Sequence, residues 1–501
     1  MTLDGDLTPF ETITAPNPPP PQPTYPIELV LDPAAAARIA RLPGLVRTAP
    51  TRPTTLVWHD DQDGTLAAQG LALVRDGNTW RLQAMQPGAD RNWPPCTPPP
   101  MLSEGNVADL SPTPPFDAAP VAGFQGKRAV FQDDTVQLIL LQGTLRGLFD
   151  DRPACRVDLS GPIPAVMAWL DRLTDISAQV PRASLAAEAL AAAKGRKSPA
   201  RHLGVPTVAG ETALSDGLAL IVTHLLDALL HWVDEFRRDR RPEAVHQARV
   251  AIRRLRSALS LYRRAFPAPE LTELAAALRL CAARLGNARD WDVFLAETGT
   301  QLAMASDDAR IGALIRGTER QRRTAYADLD AYLASADFNR IELRLGAAAS
   351  LRPWERDAPA DTLHLPTVDF AATALTRRLR HVRRRGRRLD TLPVAELHEL
   401  RKDCKRLRYA AEFFAPAFAS SFAQSKEVKT FVKRLSVLQE QLGRLNDAAV
   451  AGSLMGQLGR VGRGFAGGVV EGWAAAAAVP ARQRIEKSWK RFKDVSPFWI
   501  R

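Results

Sequence analysis

Two periodicities divide the chain. Between residues 27 and 90 apolar and polar positions alternate. Ile27, Leu29 and Leu31 suit one face of a strand, and ALVRDGNTWRLQAM carries an Asp-Gly turn between two short strand-like runs. Strand-like runs return over 128–159, including VQLILLQG and RVDLSG, and a helix-like stretch follows from about Ala165 to Ala193. Residues 27–193 therefore predict a β-rich domain with a helical tail. Residues 1–26 end in PNPPPPQPTYP, and residues 91–120 contain WPPCTPPP and SPTPPF. Neither composition builds a core, so the first predicts a disordered tail and the second a proline-rich loop within the β domain. A linker is expected over 194–209. From residue 210 to 501 a helical period takes over, interrupted at Pro267, around 350–366 and at Pro393, and broken again by the glycines at 462–468.

The helical half repeats itself. VHQARVAIRRLRSAL (245–259) aligns without gaps to LHELRKDCKRLRYAA (397–411), and LGNARDWDV (285–293) aligns to LGRLNDAAV (442–450). Two matches in the same order predict a duplicated helical unit, with repeats at about 210–349 and 367–501. At about 100° per residue, His246, Arg249, Arg253 and Arg256 fall on one helix face, opposite Ala248, Ile252, Leu255 and Leu259. In the second copy His398, Arg401, Lys405 and Arg408 form the basic stripe, opposite Leu400, Cys404 and Leu407, while Arg254, Lys402 and Arg406 flank the stripes.

Like charges at this spacing repel, and neither stripe carries an acid to relieve them. An external polyanion is the simple compensation. Arginine suits phosphate because its planar fork bonds two oxygens at once. A histidine among guanidinium groups is expected to lose its proton more readily, and a bound polyanion to restore it. Three weaker features adjoin the stripes. RRLRHVRRRGRR (377–388) holds eight arginines in twelve residues, RRDRR (237–241) precedes the first repeat, and Lys426, Lys429 and Lys433 share a helical spacing. Each reads equally well as a solvated helix surface. Asp290 and Asp447 recur in the second repeated motif and are read as caps or partners for nearby arginines.

Charge distribution sharpens this. The net charge of +12 is uneven: residues 1–200 hold 17 Lys+Arg against 21 Asp+Glu, and residues 201–501 hold 50 against 34. Only the helical half is suited to a polyanion. The four cysteines lack CxxC spacing, which argues against a zinc ribbon or disulfide framework. The acidic N-terminus does not read as a secretory signal, and no uninterrupted apolar stretch reaches the roughly 18 residues of a membrane span. A cytoplasmic protein without a membrane partner is expected. The sequence carries no signal for an oligomeric state. P-loop, GxSxG and HExxH signatures are absent.

VHQARVAIRRLR, LGNARDWDVF, LHELRKDCKRLRY and LGRLNDAAV, in this order and with the closing KSWKRFKDVSPFW, resemble the CHAD family, the conserved-histidine α-helical domain. The resemblance covers roughly residues 210–500. It implies two pseudo-symmetric four-helix bundles, a basic central groove that binds inorganic polyphosphate, and association with polyphosphate granules. The binding residues it implies are His246, Arg249, Arg253, Arg254, Arg256, His398, Arg401, Lys402, Lys405, Arg406 and Arg408.

More faintly, the N-terminal region resembles the CYTH family of triphosphate tunnel enzymes, in YPIELVLDP, TLVWHDDQDGTLAAQGLALVRDGNTWRLQAM and RVDLSG. The family's ExExK register retains only Glu28, flanked by Pro26 and Val30. Met85 replaces a strand-end lysine, and Arg156 stands near Asp158 where another carboxylate is expected. Tunnel hydrolysis needs several carboxylates to hold a divalent metal. The expectation is therefore an α+β multidomain protein. Its degenerate antiparallel β-barrel is incompletely closed and non-catalytic, and the chain has no catalytic residues, cofactor or metal. The alternatives are a metal-dependent triphosphatase or polyphosphatase in the N-terminal half, and a basic nucleic-acid-binding protein. The nucleic-acid reading is weakened because Tyr409 is the one stacking candidate on the stripes.

Overall fold

A computed structural model describes residues 25–68, 70–84, 101–102, 118–196, 203–418 and 422–500. The tail up to residue 24, Met85 and most of the proline-rich loop lie outside the described residues, as does the side chain of Asp447. The N-terminal part is one antiparallel sheet of β1 (Tyr25–Val30), β2 (Val46–Arg47), β3 (Arg52–Asp60), β4 (Leu71–Asp76), β5 (Thr79–Ala84), β6 (Met101–Leu102), β7 (Ala119–Gln132), β8 (Gln137–Leu145) and β9 (Arg152–Gly161). The order is β1-β9-β8-β7-β3-β4-β5-β6, with β2 pairing β7 beside this path. Alternation places Ile27, Leu29 and Leu31 in the core as expected, and Gly77 (φ +62) turns β4 into β5.

The expected barrel is a curled half-barrel. Among the described residues β1 and β6 do not pair, and the two-residue β6 offers almost no edge with which to close it. This curled antiparallel sheet supports the CYTH-like reading. Two short helices, α1 (Pro33–Ile39) and α2 (Thr65–Ala68), interrupt the strands. The helical tail read as continuous is two helices, α3 (Ile163–Leu173) and α4 (Leu185–Ala193). A 3-10 turn, the left-handed Ser177 (φ 59) and Pro181 separate them, and Ser184 then caps α4 by accepting from Ala187 N at 3.2 Å.

The helical half contains α5 (Leu214–Asp239), α6 (Pro242–Tyr262), α7 (Pro269–Phe294), α8 (Thr300–Ala305), α9 (Ala309–Leu333), α10 (Ala336–Leu351), α11 (Ala360–Leu363), α12 (Thr367–Arg385), α13 (Val394–Phe414), α14 (Phe422–Gln457), α15 (Gly459–Arg463) and α16 (Phe465–Lys493). Prolines at the first helical position start α6 and α7, where a missing N–H costs nothing. α5, α6, α7 and α9 pack into one bundle, and α12, α13, α14 and α16 into a second. The two bundles begin side by side at an antiparallel bridge. Leu214 N donates to Leu365 O and Thr367 N to Thr212 O, each at 2.9 Å.

α5 is long and apolar enough to cross a membrane by length and composition, although Asp216 and Asp227 interrupt its apolar run. In the structure it is a central bundle helix, with 61% of that window buried. α10 leaves the first bundle to pack on α5, and its Leu343, Ala347 and Leu351 complete the hydrophobic cluster beneath β1, β8, β9 and α3. Sheet and bundle thus share a core.

A basic groove between the duplicated helices

α6 and α13 carry the duplicated motif, and each histidine is the fifth residue of its helix. The apolar faces bury as the periodicity requires. Ala248, Ile252, Leu255 and Leu259 are buried in the first bundle, and Leu400, Cys404 and Leu407 in the second. Those anchors fix the rotation of each helix, so the basic sides turn toward a common cleft.

The cleft is seen in which charges act on which. Arg253 is mostly buried. Burial, followed by Arg249, Arg401 and Arg408, makes its proton easier to lose, against the opposing effect of Tyr409. Burial does the same for Arg256, followed by Arg279 and Arg406. The charges of Arg401 and Arg408 on α13 therefore reach Arg253 of α6, and that of Arg406 reaches Arg256. Among the described residues neither Arg253 nor Arg256 has a carboxylate partner, and the buried Arg253 Nε lacks a hydrogen bond. A buried, unpaired guanidinium is costly unless something arrives to pair with it.

An approximate two-fold relates the crossings. Arg254 donates to Glu412 Oε2 at 3.2 Å, and Arg408 Nε lies 3.6 Å from the other oxygen of Glu412. Both guanidinium groups flank Tyr409, at 5.9 and 5.2 Å from its ring centre. The 152-residue offset of the repeat maps the Arg254–Arg408 pair onto Arg406 and Arg256, which are the other cross-helix neighbours. It maps Glu412 onto Ser260. One crossing thus shares a single acid between the two helices, whereas at its mate Arg406 pairs within its own helix with Asp403 and Arg256 has no carboxylate partner among the described residues.

The second repeated motif lies under the first. The guanidinium of Arg249 lies over Gly286 and that of Arg401 over Gly443, where a Cβ would stand 3.5 and 3.8 Å from the nearest nitrogen. Arg249 also donates to Gly286 O at 3.3 Å and to Asp290 Oδ1 at 3.2 Å, so Asp290 is an arginine partner.

A family model of the CHAD domain matches residues 220–456. These residues are a CHAD domain. Among solved structures the chain is similar to the CHAD domain from the plant Ricinus communis. That match is 28% identical and covers 58% of this chain and 96% of that one, at a TM-score of 0.49. It is also similar to PptA from Streptomyces chartreusis, 18% identical over 56% of this chain and all of that one, at a TM-score of 0.43. No curated protein matches the chain.

Not every expected cation of the CHAD domain is equally open. Lys402 pairs with Glu399, and Arg406 with Asp403 at 3.1 Å. These acids lie off the stripe, where a single-face reading misses them. His246 is half-buried. Burial first, then Arg289, Arg253 and Arg249, lower its pKa against the pull of Glu243, so burial leads where charge alone was anticipated. His398 is exposed and Lys405 half-buried. RRDRR belongs to the fold rather than the groove: Arg238 and Arg241 pair with Glu235 at 2.7 and 3.0 Å, Arg240 with Asp330 at 2.5 Å, and Arg237 donates to Leu333 O at 2.7 Å. Lys426, Lys429 and Lys433 are exposed on α14.

The sequence reading missed Arg279 and Arg289 of α7. Both act on the groove, yet the repeat places Ser436 and Asn446 opposite them, so duplication could not flag them.

In the half-barrel, Glu28 of β1 stands opposite Asp158 of β9. The buried Arg156 donates from Nε to Glu28 Oε1 at 3.0 Å and from Nη2 to Glu188, and Leu185 N donates to Glu28 Oε1 at 2.8 Å. Burial raises the pKa of both Glu28 and Asp158, against the lowering effect of Arg156 on Glu28 and of Arg81, Arg128 and Arg156 on Asp158. Arg81 and Arg128 share Asp76, each at 3.1 Å. This set does not fit a divalent metal, because a fixed guanidinium occupies the carboxylate that would ligate it. Among the described residues no group of three or more His, Cys, Asp or Glu is placed to hold one.

Proposed function

We propose that the CHAD domain binds inorganic polyphosphate in the cleft between α6 and α13. In this reading the protein is a non-catalytic, cytoplasmic polyphosphate-binding protein at the surface of polyphosphate granules. The observation that carries it is the facing pair of cationic helix sides, with Arg253 and Arg256 lacking acids of their own. A flexible chain of phosphates supplies charge along the whole cleft, which a single anion does not. Nucleic acid is disfavoured because the stacking candidate Tyr409 is 3% exposed and flanked by Arg254 and Arg408.

The test is capture on long-chain polyphosphate across a salt series, with DNA and RNA competing at equal phosphate concentration. Affinity falls steeply with salt, as counterion release requires, and nucleic acid competes poorly. Equal competition would favour the nucleic-acid reading.

Binding also strengthens as pH falls. The lowered pKa leaves free His246 neutral near pH 7, and the polyanion raises it, so complex formation takes up a proton. Isothermal titration at pH 6 and pH 8, in buffers of differing ionisation enthalpy, measures this uptake. His246→Ala reduces it.

The half-barrel releases no phosphate from tripolyphosphate with magnesium or manganese, because Arg156 holds Glu28. Metal-dependent release abolished by Glu28→Ala would establish a triphosphatase instead.

A further inference from the structure

We infer that Glu412 stands in for a phosphate at one end of the groove and so limits how tightly the groove binds its ligand. This rests on the proposed groove and adds a residue that sets its affinity.

Glu412 is the third residue from the end of α13, and its side chain is 14% exposed. Its two oxygens serve two helices. One accepts from Arg254 Nη2 of α6 at 3.2 Å, and the other lies 3.6 Å from Arg408 Nε of its own helix. A carboxylate set between two guanidinium groups occupies the place a phosphate would take, with planar donors meeting paired oxygens. Arg408 is also one of the charges that act on Arg253, which has no carboxylate partner among the described residues. The acid therefore sits beside the cation that the groove leaves open.

Local helix energetics do not explain an acid here. An arginine four residues before a glutamate is the less favourable order of such a pair. The last turn of a helix also carries the negative end of its dipole. The favourable partner is the cation of the neighbouring helix, Arg254.

The repeat supplies an internal comparison. Displaced by 152 residues, Glu412 and Tyr409 fall on Ser260 and Ser257, while Arg408 falls on Arg256. At that end Arg256 has no carboxylate partner among the described residues, and Asp403, which reaches Arg406, is shared with Arg385. One end is neutralised across the helices by the chain itself, and the other is left to a ligand. A phosphate arriving at the Glu412 end meets guanidinium groups already engaged and a like charge beside them.

Long-chain polyphosphate is titrated into the full chain and two variants across a salt series. Glu412→Gln keeps the size of the side chain and removes its charge. It binds about tenfold more tightly, and the slope of log affinity against log salt steepens by about 0.7, as one additional phosphate is neutralised. Ser260→Glu puts an acid at the opposite end, on an exposed helix position. It binds about tenfold more weakly, and the slope shallows by about 0.7. If Glu412 only ties the two bundles together, Glu412→Gln lowers the thermal midpoint and binds no more tightly than wild type. That result, or Ser260→Glu binding like wild type, overturns the phosphate stand-in and leaves the groove in place. If the unmodified protein does not bind polyphosphate, the groove itself falls and the role of Glu412 with it.

Discussion

Arg253→Ala/Arg256→Ala binds long-chain polyphosphate about 100-fold more weakly, as two charge-assisted contacts of roughly 1.5 kcal/mol each imply. The slope of log affinity against log salt shallows by about 1.4, because two fewer phosphates are neutralised. Stability moves the other way from affinity. Both side chains face other arginines, and Arg253 Nε is buried without an acceptor. Removing them relieves repulsion at the cost of some aliphatic packing, so thermal unfolding stays at or above the wild-type midpoint. A variant that lost binding because it unfolded would show the opposite shift, so the two measurements together separate a binding role from a structural one.

Arg182→Ala destabilises the protein by about 3 kcal/mol or more, because it strands a buried acid. Arg182 Nε and Nη2 donate to Asp234 of α5 at 3.0 and 3.2 Å, and Nη1 donates to Glu342 of α10 at 3.1 Å. Glu342 is 4% exposed, and burial already raises its pKa against the pull of Arg182. Without the guanidinium that pKa rises further. The folded state then holds the proton more tightly than the unfolded one, so stability falls as pH rises through the folded value. Urea unfolding therefore shows a larger deficit at pH 8 than at pH 5, and Glu342→Gln added to Arg182→Ala removes the difference. Equal deficits at both pH values would mean that Glu342 is not the stranded group. The effect reaches beyond one ion pair, because Arg182 precedes α4 of the N-terminal half and clamps it to α5 and α10, beside the shared core of Leu343, Ala347 and Leu351.

The features legible in the sequence are those set by one element at a time. Strand alternation gave Ile27, Leu29 and Leu31, and helical period gave the buried faces around Ile252 and Cys404 and the cationic stripes opposite them. Duplication drew attention to Asp290, which does pair with Arg249. Other features were hidden, some because one helix face was read alone and some because they depend on neighbouring elements. Asp403 and Glu399 lie off the stripe, so periodicity left Arg406 and Lys402 looking unpaired. RRDRR reads as a basic patch until α5 folds back its own Glu235 and α9 brings Asp330 alongside. Arg279 and Arg289 reach the groove from α7 without a repeated counterpart. The half-barrel shows the same division. The loss of carboxylates around Glu28 was readable, whereas the engagement of Arg156 by both Glu28 and Glu188 needs β9 and α4 in place.

A crystal structure of the full chain grown with polyphosphate tests the groove most directly. Phosphate density running between Arg253 and Arg256 of α6 and Arg401 and Arg408 of α13, at hydrogen-bonding distance from their guanidinium groups, is the predicted result. Density confined to other basic surfaces, with those four arginines unengaged, would contradict it.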